Sequence, residues 1–161
     1  MKIFLAVTIV LLASCAGYDG RTLLPHRSTA DEVERVMGQP TEKRAAPNGE
    51  TVFWYPRLPS GRVSYAARIG ADGKLIAIEQ RLTRENFEQL KRGESRADDV
   101  RDLLGPPWRV DRYPRREREA WTYQAQGITP QIIVAYFSRD GVLREKEMFD
   151  DPEQAAKDGP M

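Results

Sequence analysis

The 161-residue sequence predicts an α+β protein made of two tandem repeats, each with one or two short helices packed on a three- to four-stranded antiparallel sheet. The first observation is an internal repetition, because "STADEVERVMGQP" from Ser28 matches "SRADDVRDLLGPP" from Ser95, 67 positions later. The second is the order within each copy, where a helical pattern ending in Gly-x-Pro precedes strand-like segments and an Asp-Gly turn. Helices that cover one face of an antiparallel sheet define an α+β layout.

The N-terminal segment has the features of a secretory signal peptide. Met1-Lys2 gives a positive start, and "IFLAVTIVLLAS" continues for twelve residues without a charge. This run is short for a transmembrane helix, which needs roughly 20 apolar residues. A charged start, a short apolar core and small residues after it predict a cleaved signal peptide over residues 1–14.

The only cysteine lies directly after this segment. Leu12-Ala13-Ser14-Cys15 resembles a bacterial lipobox, which implies cleavage between Ser14 and Cys15 and a palmitate-bearing lipid on the thiol. The alternative is a free buried cysteine beside an uncleaved anchor. Several acyl chains on one residue would anchor the chain durably to a membrane. In some bacteria an Asp directly after the lipidated cysteine marks retention in the inner membrane. Ala16 stands at that position here, so the resemblance implies the outer membrane, with the protein facing the periplasm.

The first helix of each repeat is delimited by its end signals. Ser28 and Ser95 are predicted N-caps, with acidic residues in the first turn. Apolar residues follow at helical spacing on one face of each helix: Val33, Val36 and Met37 in one copy, and Val100, Leu103 and Leu104 in the other. Gly38 and Gly105 stand where a helix end needs a left-handed residue, so they are interpreted as C-terminal signals.

Strands and a further helix complete each unit. The segments "TEKRA" and "WRVDRY" are predicted edge strands, and Asp-Gly pairs at 72–73 and 140–141 predict hairpins. The 67-residue offset also aligns Trp54 with Trp121, with a one-residue slip at the Asp-Gly turns. Thr83 is predicted to cap a short helix before the second copy. We therefore divide the chain into a tether (15–27), two repeats (28–82 and 83–150) and a flexible tail (151–161).

The repeated pattern is similar to the BamE (SmpA/OmlA) family of small outer-membrane lipoproteins. The stretch "NFEQLKRGESRADDVRDLLGPP" carries the resemblance most closely, and "VFWYP", "AWTYQ" and "FSRDGVLREKE" fall where strands of the family do. The resemblance implies an accessory of the machine that inserts β-barrels. A tandem of such units also resembles the β-lactamase inhibitor protein, which implies binding of an enzyme across both sheets.

Composition and motifs offer little for catalysis. The 25 basic and 24 acidic residues nearly balance, so no overall charge favours nucleic acid, and we expect no nucleic-acid partner. His26 is the only histidine and lies in a predicted connection, and no cluster has metal-ligand spacing. We therefore expect no enzyme activity, no metal and no cofactor.

Binding features are clearer. The segment "WRVDRYPRRERE" places aromatic residues among arginines, and two strands carry paired aromatic residues. The predicted partner-binding residues are Trp54, Tyr55, Trp108, Arg112, Tyr113, Arg115 and Arg116. The alternatives are that the arginines are merely solvated and that the strand aromatics fill the core. We predict a lipid-anchored module that binds an envelope protein, with an inhibitor-like or ligand-binding module using the sheet surfaces as the alternative.

Overall fold

The computed structural model describes residues 19–156, which form two four-stranded antiparallel sheets. The first repeat contains α1 (Ala30–Met37), β1 (Glu42–Ala45), β2 (Thr51–Pro56), β3 (Ser64–Ile69) and β4 (Leu75–Gln80). The second repeat contains α2 (Arg84–Gln89), α3 (Ala97–Leu104), β5 (Arg109–Tyr113), a 3₁₀ turn (Pro114–Arg116), β6 (Arg118–Ala125), β7 (Gln131–Ser138) and β8 (Leu143–Asp150), and it is followed by α4 (Pro152–Ala155). Strands are ordered β1-β2-β3-β4 and β5-β6-β7-β8. The α+β class and the two repeated units are confirmed.

Each principal helix begins one residue later than predicted. Thr29, and not Ser28, caps α1: its hydroxyl accepts from Glu32 N (3.3 Å) while the Glu32 carboxylate accepts from Thr29 N (2.9 Å). Arg96 precedes α3, and its backbone N donates to the Asp99 carboxylate at 2.7 Å. The predicted caps were wrong because each serine hydroxyl instead accepts from the backbone N–H four residues earlier, at 3.1 and 2.9 Å.

The helix ends and the linking helix follow the prediction. Gly38 and Gly105 adopt φ of 88° and 86° directly after α1 and α3. Thr83 caps α2, where its hydroxyl accepts from Asn86 N at 3.2 Å. Since only glycine adopts that backbone conformation readily, the Gly-x-Pro signal marks both helix ends correctly.

The strand register corrects the alignment of the two tryptophans. Glu42 lies opposite Trp54, whereas Arg109, the residue equivalent to Glu42, lies opposite Thr122. The extra residue of the second repeat therefore lies in the β5–β6 connection and not at the Asp-Gly turn. Trp54 corresponds to Thr122, and Trp121 corresponds to Phe53. Because side chains alternate along a strand, this single-residue difference moves Trp121 to the opposite face.

Each repeat buries its own apolar core between helices and sheet. Val33 and Met37 of α1 contribute to the first core, and Val100 and Leu104 of α3 to the second. The sheet residues of the first core are Phe53, Tyr55, Ala67, Ile69 and Leu75, and those of the second are Trp121, Tyr123, Ala125, Ile133, Ala135, Phe137 and Leu143. We call the face of each sheet that meets these cores its inner face and the opposite face its outer face.

The ends of the described chain belong to the fold. Leu23, in the segment predicted as a tether, is buried in the first core. Asp151, predicted to begin a flexible tail, is buried, caps α4 and forms an ion pair with Arg62 of the first repeat. The tail prediction is therefore wrong for residues 151–156. Ser14 and Cys15 lie outside the described residues. The longest helices between residues 19 and 156 have eight residues, too few to span a bilayer.

Candidate partner-binding surface

Trp54 and Tyr55 are not available to a partner. Both side chains are about 1% exposed. Tyr55 lies in the first core, where burial raises the pKa of its hydroxyl to about 12. Trp54 lies on the outer face of the first sheet, where Gly105, the residue directly after α3, packs against its ring. Their predicted contact role is wrong, because both aromatic side chains are enclosed within this chain.

The junction between the repeats explains the burial of Trp54. Arg101 of α3 forms a two-pronged ion pair with Glu42, with distances of 3.0 Å from Nε and 2.6 Å from Nη2 to Oε2. The Glu42 carboxylate raises the pKa of Arg101 further above its usual value. Arg44 Nε lies 2.9 Å from the Asp102 carboxylate. The last turn of α3 and the residues after it thereby close part of the outer face of the first sheet.

The second repeat leaves its edge strand exposed. Strand β5 pairs with β6 on one side only, and side chains alternate between its two sides. Trp108, just before the strand, is 51% exposed, and Val110, on the same side, is 39% exposed. Arg112 continues this row at an exposed position. Tyr113 is also exposed, but strand alternation places it on the other side of β5 from Val110 and Arg112. The Arg109 guanidinium lies 5.6 Å from the centre of the Trp108 ring.

Positive charge gathers at the end of this row. Arg115 and Arg116 lie in the exposed 3₁₀ turn and form no ion pair with any residue in the described part of the chain. Arg112 Nε lies 2.9 Å from the Glu119 carboxylate, but its side chain remains 77% exposed. We define the β5 surface as Trp108, Val110, Arg112, Arg115 and Arg116.

The corresponding edge of the first repeat is built differently. Trp108, Val110 and Arg112 replace Thr41, Lys43 and Ala45, respectively. Lys43 forms an ion pair with Glu34 of α1 and lies 4.5 Å from the centre of the Phe53 ring. Val110 has no such polar role. Sequence analysis missed Val110 because an isolated valine in a strand is ordinarily a core residue; its exposure follows from the edge position of β5.

A cavity adjoins the β5 surface at the junction of the repeats. It has a volume of about 240 Å³ and is lined by Trp108, Pro106 and Pro107 on one side and by Pro56, Leu58 and Val63 on the other. The lining is mainly apolar. An apolar recess beside an exposed tryptophan provides a place where a partner side chain could be desolvated, which is where binding energy concentrates in interfaces.

The described residues contain no arrangement suited to metal catalysis. Within residues 19–156, no group of three or more His, Cys, Asp or Glu side chains could hold a metal ion. His26 is exposed, and its contribution to the fold is a backbone N–H donated to the carbonyl of Leu75 at 2.6 Å.

No protein-family model and no curated protein matches the chain. Among solved structures it is similar to a DUF4309 family protein (YjgB) from Bacillus subtilis subsp. subtilis str. 168, with 18% identity over 80% of this chain and 82% of that chain and a TM-score of 0.33. It is also similar to a protein provisionally described as a β-lactamase inhibitor protein from Streptococcus mutans, with 17% identity over 76% and 83% and a TM-score of 0.37. These scores are too low to transfer a function, and the comparisons do not support the resemblance to the BamE family.

Proposed function

We propose that this protein is a lipid-anchored envelope protein that binds another protein through the β5 surface. The observation that carries the proposal is the exposure of Trp108 and Val110 beside Arg115 and Arg116, whose charges no described residue neutralises. Tryptophan and arginine are the residues most enriched among those that dominate interface energies. The protein acts by binding and not by catalysis.

The chemistry of the surface specifies the partner. The arginines favour an acidic rim, because exposed unlike charges steer association and select orientation. Trp108 and the adjoining cavity favour an apolar side chain at the centre. With Cys15 lipidated at the outer membrane, the partner is an envelope protein, and the β-barrel assembly machine is the first to test.

Site-specific photo-crosslinking in cells tests this proposal. A photoreactive amino acid is placed at position 108 of the full chain, and covalent adducts are identified by mass spectrometry. The matched control carries the same amino acid at Leu24, which is 51% exposed in the first repeat, like Trp108. We expect a discrete adduct from position 108 and none from position 24.

Charge reversal adds a second readout. Arg115→Glu with Arg116→Glu is compared with Arg27→Glu and Arg92→Glu, which makes the same charge change at exposed positions elsewhere. The first pair of substitutions should reduce the adduct at least about tenfold, and the control pair should not. Equal adducts from positions 108 and 24, or equal effects of the two charge reversals, would contradict the proposal.

A pocket on the first sheet supports a second candidate, an inhibitor-like module. This pocket of about 330 Å³ on the outer face is lined by Trp54, Arg68 and Arg81, among others. Arg81 Nε is buried at this pocket without a hydrogen-bond partner among the described residues, so it could donate to an acidic side chain of a bound enzyme. Inhibition of a purified β-lactamase by the full chain, unaffected by Arg115→Glu with Arg116→Glu, would favour this candidate over the first.

A further inference from the structure

The cavity at the junction of the repeats contains a buried hydroxyl without a partner. Ser64 lines this cavity and is 2% exposed, and its Oγ forms no hydrogen bond with any described residue. Tyr123 also lines the cavity, but its hydroxyl already donates to the carbonyl oxygen of Gly105 at 3.3 Å. A buried hydroxyl left unpaired costs free energy, which a hydrogen bond to a bound group returns. Ser64 therefore marks the point in the cavity where a bound polar group gains most.

The rest of the lining excludes a charged occupant. The apolar lining residues are Pro56, Leu58, Val63, Leu82, Pro106 and Pro107. Thr41 is polar but exposed, and Gln124 is polar and half-buried. None of the described residues that line the cavity carries a charge, and Arg109, which contacts the Trp108 ring, is not among them. Because burying an ionised group without a counter-charge is costly, the side chain that fits here is neutral.

The volume and depth of the cavity suit one aromatic ring. Its volume of about 240 Å³ exceeds the roughly 150 Å³ of an apolar cavity that binds benzene, and it is smaller than the sites of about 300 Å³ or more that hold drug-sized ligands. Trp108, 51% exposed, lies at the mouth, whereas Ser64, 2% exposed, lies at the floor. An occupant that reaches from mouth to floor needs an apolar body with a polar group at its far end.

We propose that this cavity binds a tyrosine side chain of the partner, whose hydroxyl forms a hydrogen bond with Ser64 Oγ. The tyrosine ring supplies the apolar body, and its hydroxyl at the tip requires a partner when it is buried. A phenylalanine of the same shape would leave the Ser64 hydroxyl unpaired. This inference rests on the proposed function and identifies the side chain that the partner inserts beside the β5 surface.

Two small molecules test the cavity without the partner. p-Cresol reproduces the tyrosine side chain, and toluene is the same ring without the hydroxyl. Each is titrated into the isotope-labelled full chain in a mild non-ionic detergent, and binding is measured from the indole N–H resonance of Trp108, which Trp108→Phe identifies. p-Cresol should bind with a Kd on the order of 1 mM. Ser64→Ala should weaken p-cresol binding about tenfold and leave toluene binding within about threefold of the wild type.

The stability of the same variant separates ligand binding from a structural role. An unpaired hydroxyl contributes no hydrogen bond to the fold, so Ser64→Ala should not lower the urea midpoint. Partition of the ligands into detergent is the same for both proteins and cancels in their comparison. A lower midpoint, an unchanged Trp108 resonance with p-cresol, or an equal loss of binding for both molecules overturns the proposal.

Crosslinking then tests whether the ring comes from a partner tyrosine. The partner peptide in the adduct from position 108 should contain a tyrosine, and replacing it with phenylalanine should reduce the adduct about tenfold. In the Ser64→Ala background the same replacement should have little further effect, because the contact is already lost. A peptide without tyrosine, or a failed p-cresol titration, contradicts only this inference. The absence of any adduct contradicts the proposed function and the tyrosine with it.

Discussion

Replacing Gly105 with alanine tests how the two repeats are joined. A Cβ at this position would lie 2.6 Å from Cε3 and 2.7 Å from Cζ3 of Trp54, and 3.1 Å from the Ser64 hydroxyl. Gly38 supplies a matched control within the same molecule. Its φ of 88° and ψ of −175° nearly equal the values of 86° and −170° at Gly105, but a Cβ there meets no atom within 4 Å.

The two substitutions share one cost and differ in another. Alanine in this glycine-only backbone region costs about 1–3 kcal/mol in either repeat. At Gly105 the added methyl group also overlaps the Trp54 ring, which is buried and cannot withdraw, and such overpacking costs about a further 1–3 kcal/mol. Gly105→Ala should therefore lower the free energy of unfolding by about 2–6 kcal/mol, and Gly38→Ala by about 1–3 kcal/mol.

Urea unfolding of the full chain, at a concentration low enough to keep it monomeric, measures both values. The midpoint should fall for both variants at an unchanged m value, and further for Gly105→Ala. In a double-mutant cycle, Gly105→Ala should lower the free energy of unfolding less when Trp54 is already alanine than when it is tryptophan. This difference is the coupling energy that measures the clash. Equal destabilisation by the two glycine substitutions would refute the reasoning, because Trp54 would then not bear on Gly105.

Two further predictions concern the ends of the chain. Cys15→Ser should abolish labelling by radioactive palmitate and release the protein from the outer-membrane fraction; unchanged labelling would refute lipidation. Burial by itself would raise the pKa of Asp151, but the hydrogen bonds from Arg62 and from backbone N–H groups outweigh it and hold the pKa below its usual value. Asp151 therefore stabilises the fold at neutral pH, and this contribution is lost as the pH falls through the acid range and the carboxylate is protonated. In urea titrations, the difference in free energy of unfolding between the wild type and Asp151→Asn should narrow from pH 6 to pH 3. A difference that stays constant with pH would exclude this linkage.

Local signals in the sequence were sufficient for the elements and for the repetition. The Gly-x-Pro endings, the Asp-Gly turns and the apolar spacing depend on interactions within a few residues, and these features agree with the structure. The caps at Ser28 and Ser95 failed by one position, because Thr29 and Arg96 also form isolated β-bridges with Lys74 and Val142. Such bridges are tertiary contacts, which the local pattern does not contain.

The site depended on information that the sequence expresses only indirectly. Matching Trp54 to Trp121 relied on residue identity, whereas the strand register equates Trp54 with Thr122. Because side chains alternate between the two faces of a strand, the one-residue error matched Trp54, which lies at the junction of the repeats, with Trp121, which lies in the second core. The basic and aromatic segment from Trp108 is exposed, which agrees with the rule that interleaved arginines are rarely buried, and its partner-binding role stays a prediction.

The divergence between the repeats bears on where the proposed partner contact lies. In an array of repeats, each unit buries a face against its neighbour, and the terminal faces remain open unless they are capped. The first sheet contacts the end of α3 and Gly105 through Glu42 and Trp54, so part of its outer face is occupied by the internal junction. The second sheet carries Thr122 and Arg109 at those positions and gains Trp108 on its edge. If the protein binds a partner as proposed, the exposed Trp108 makes the second repeat the place where that contact should be sought.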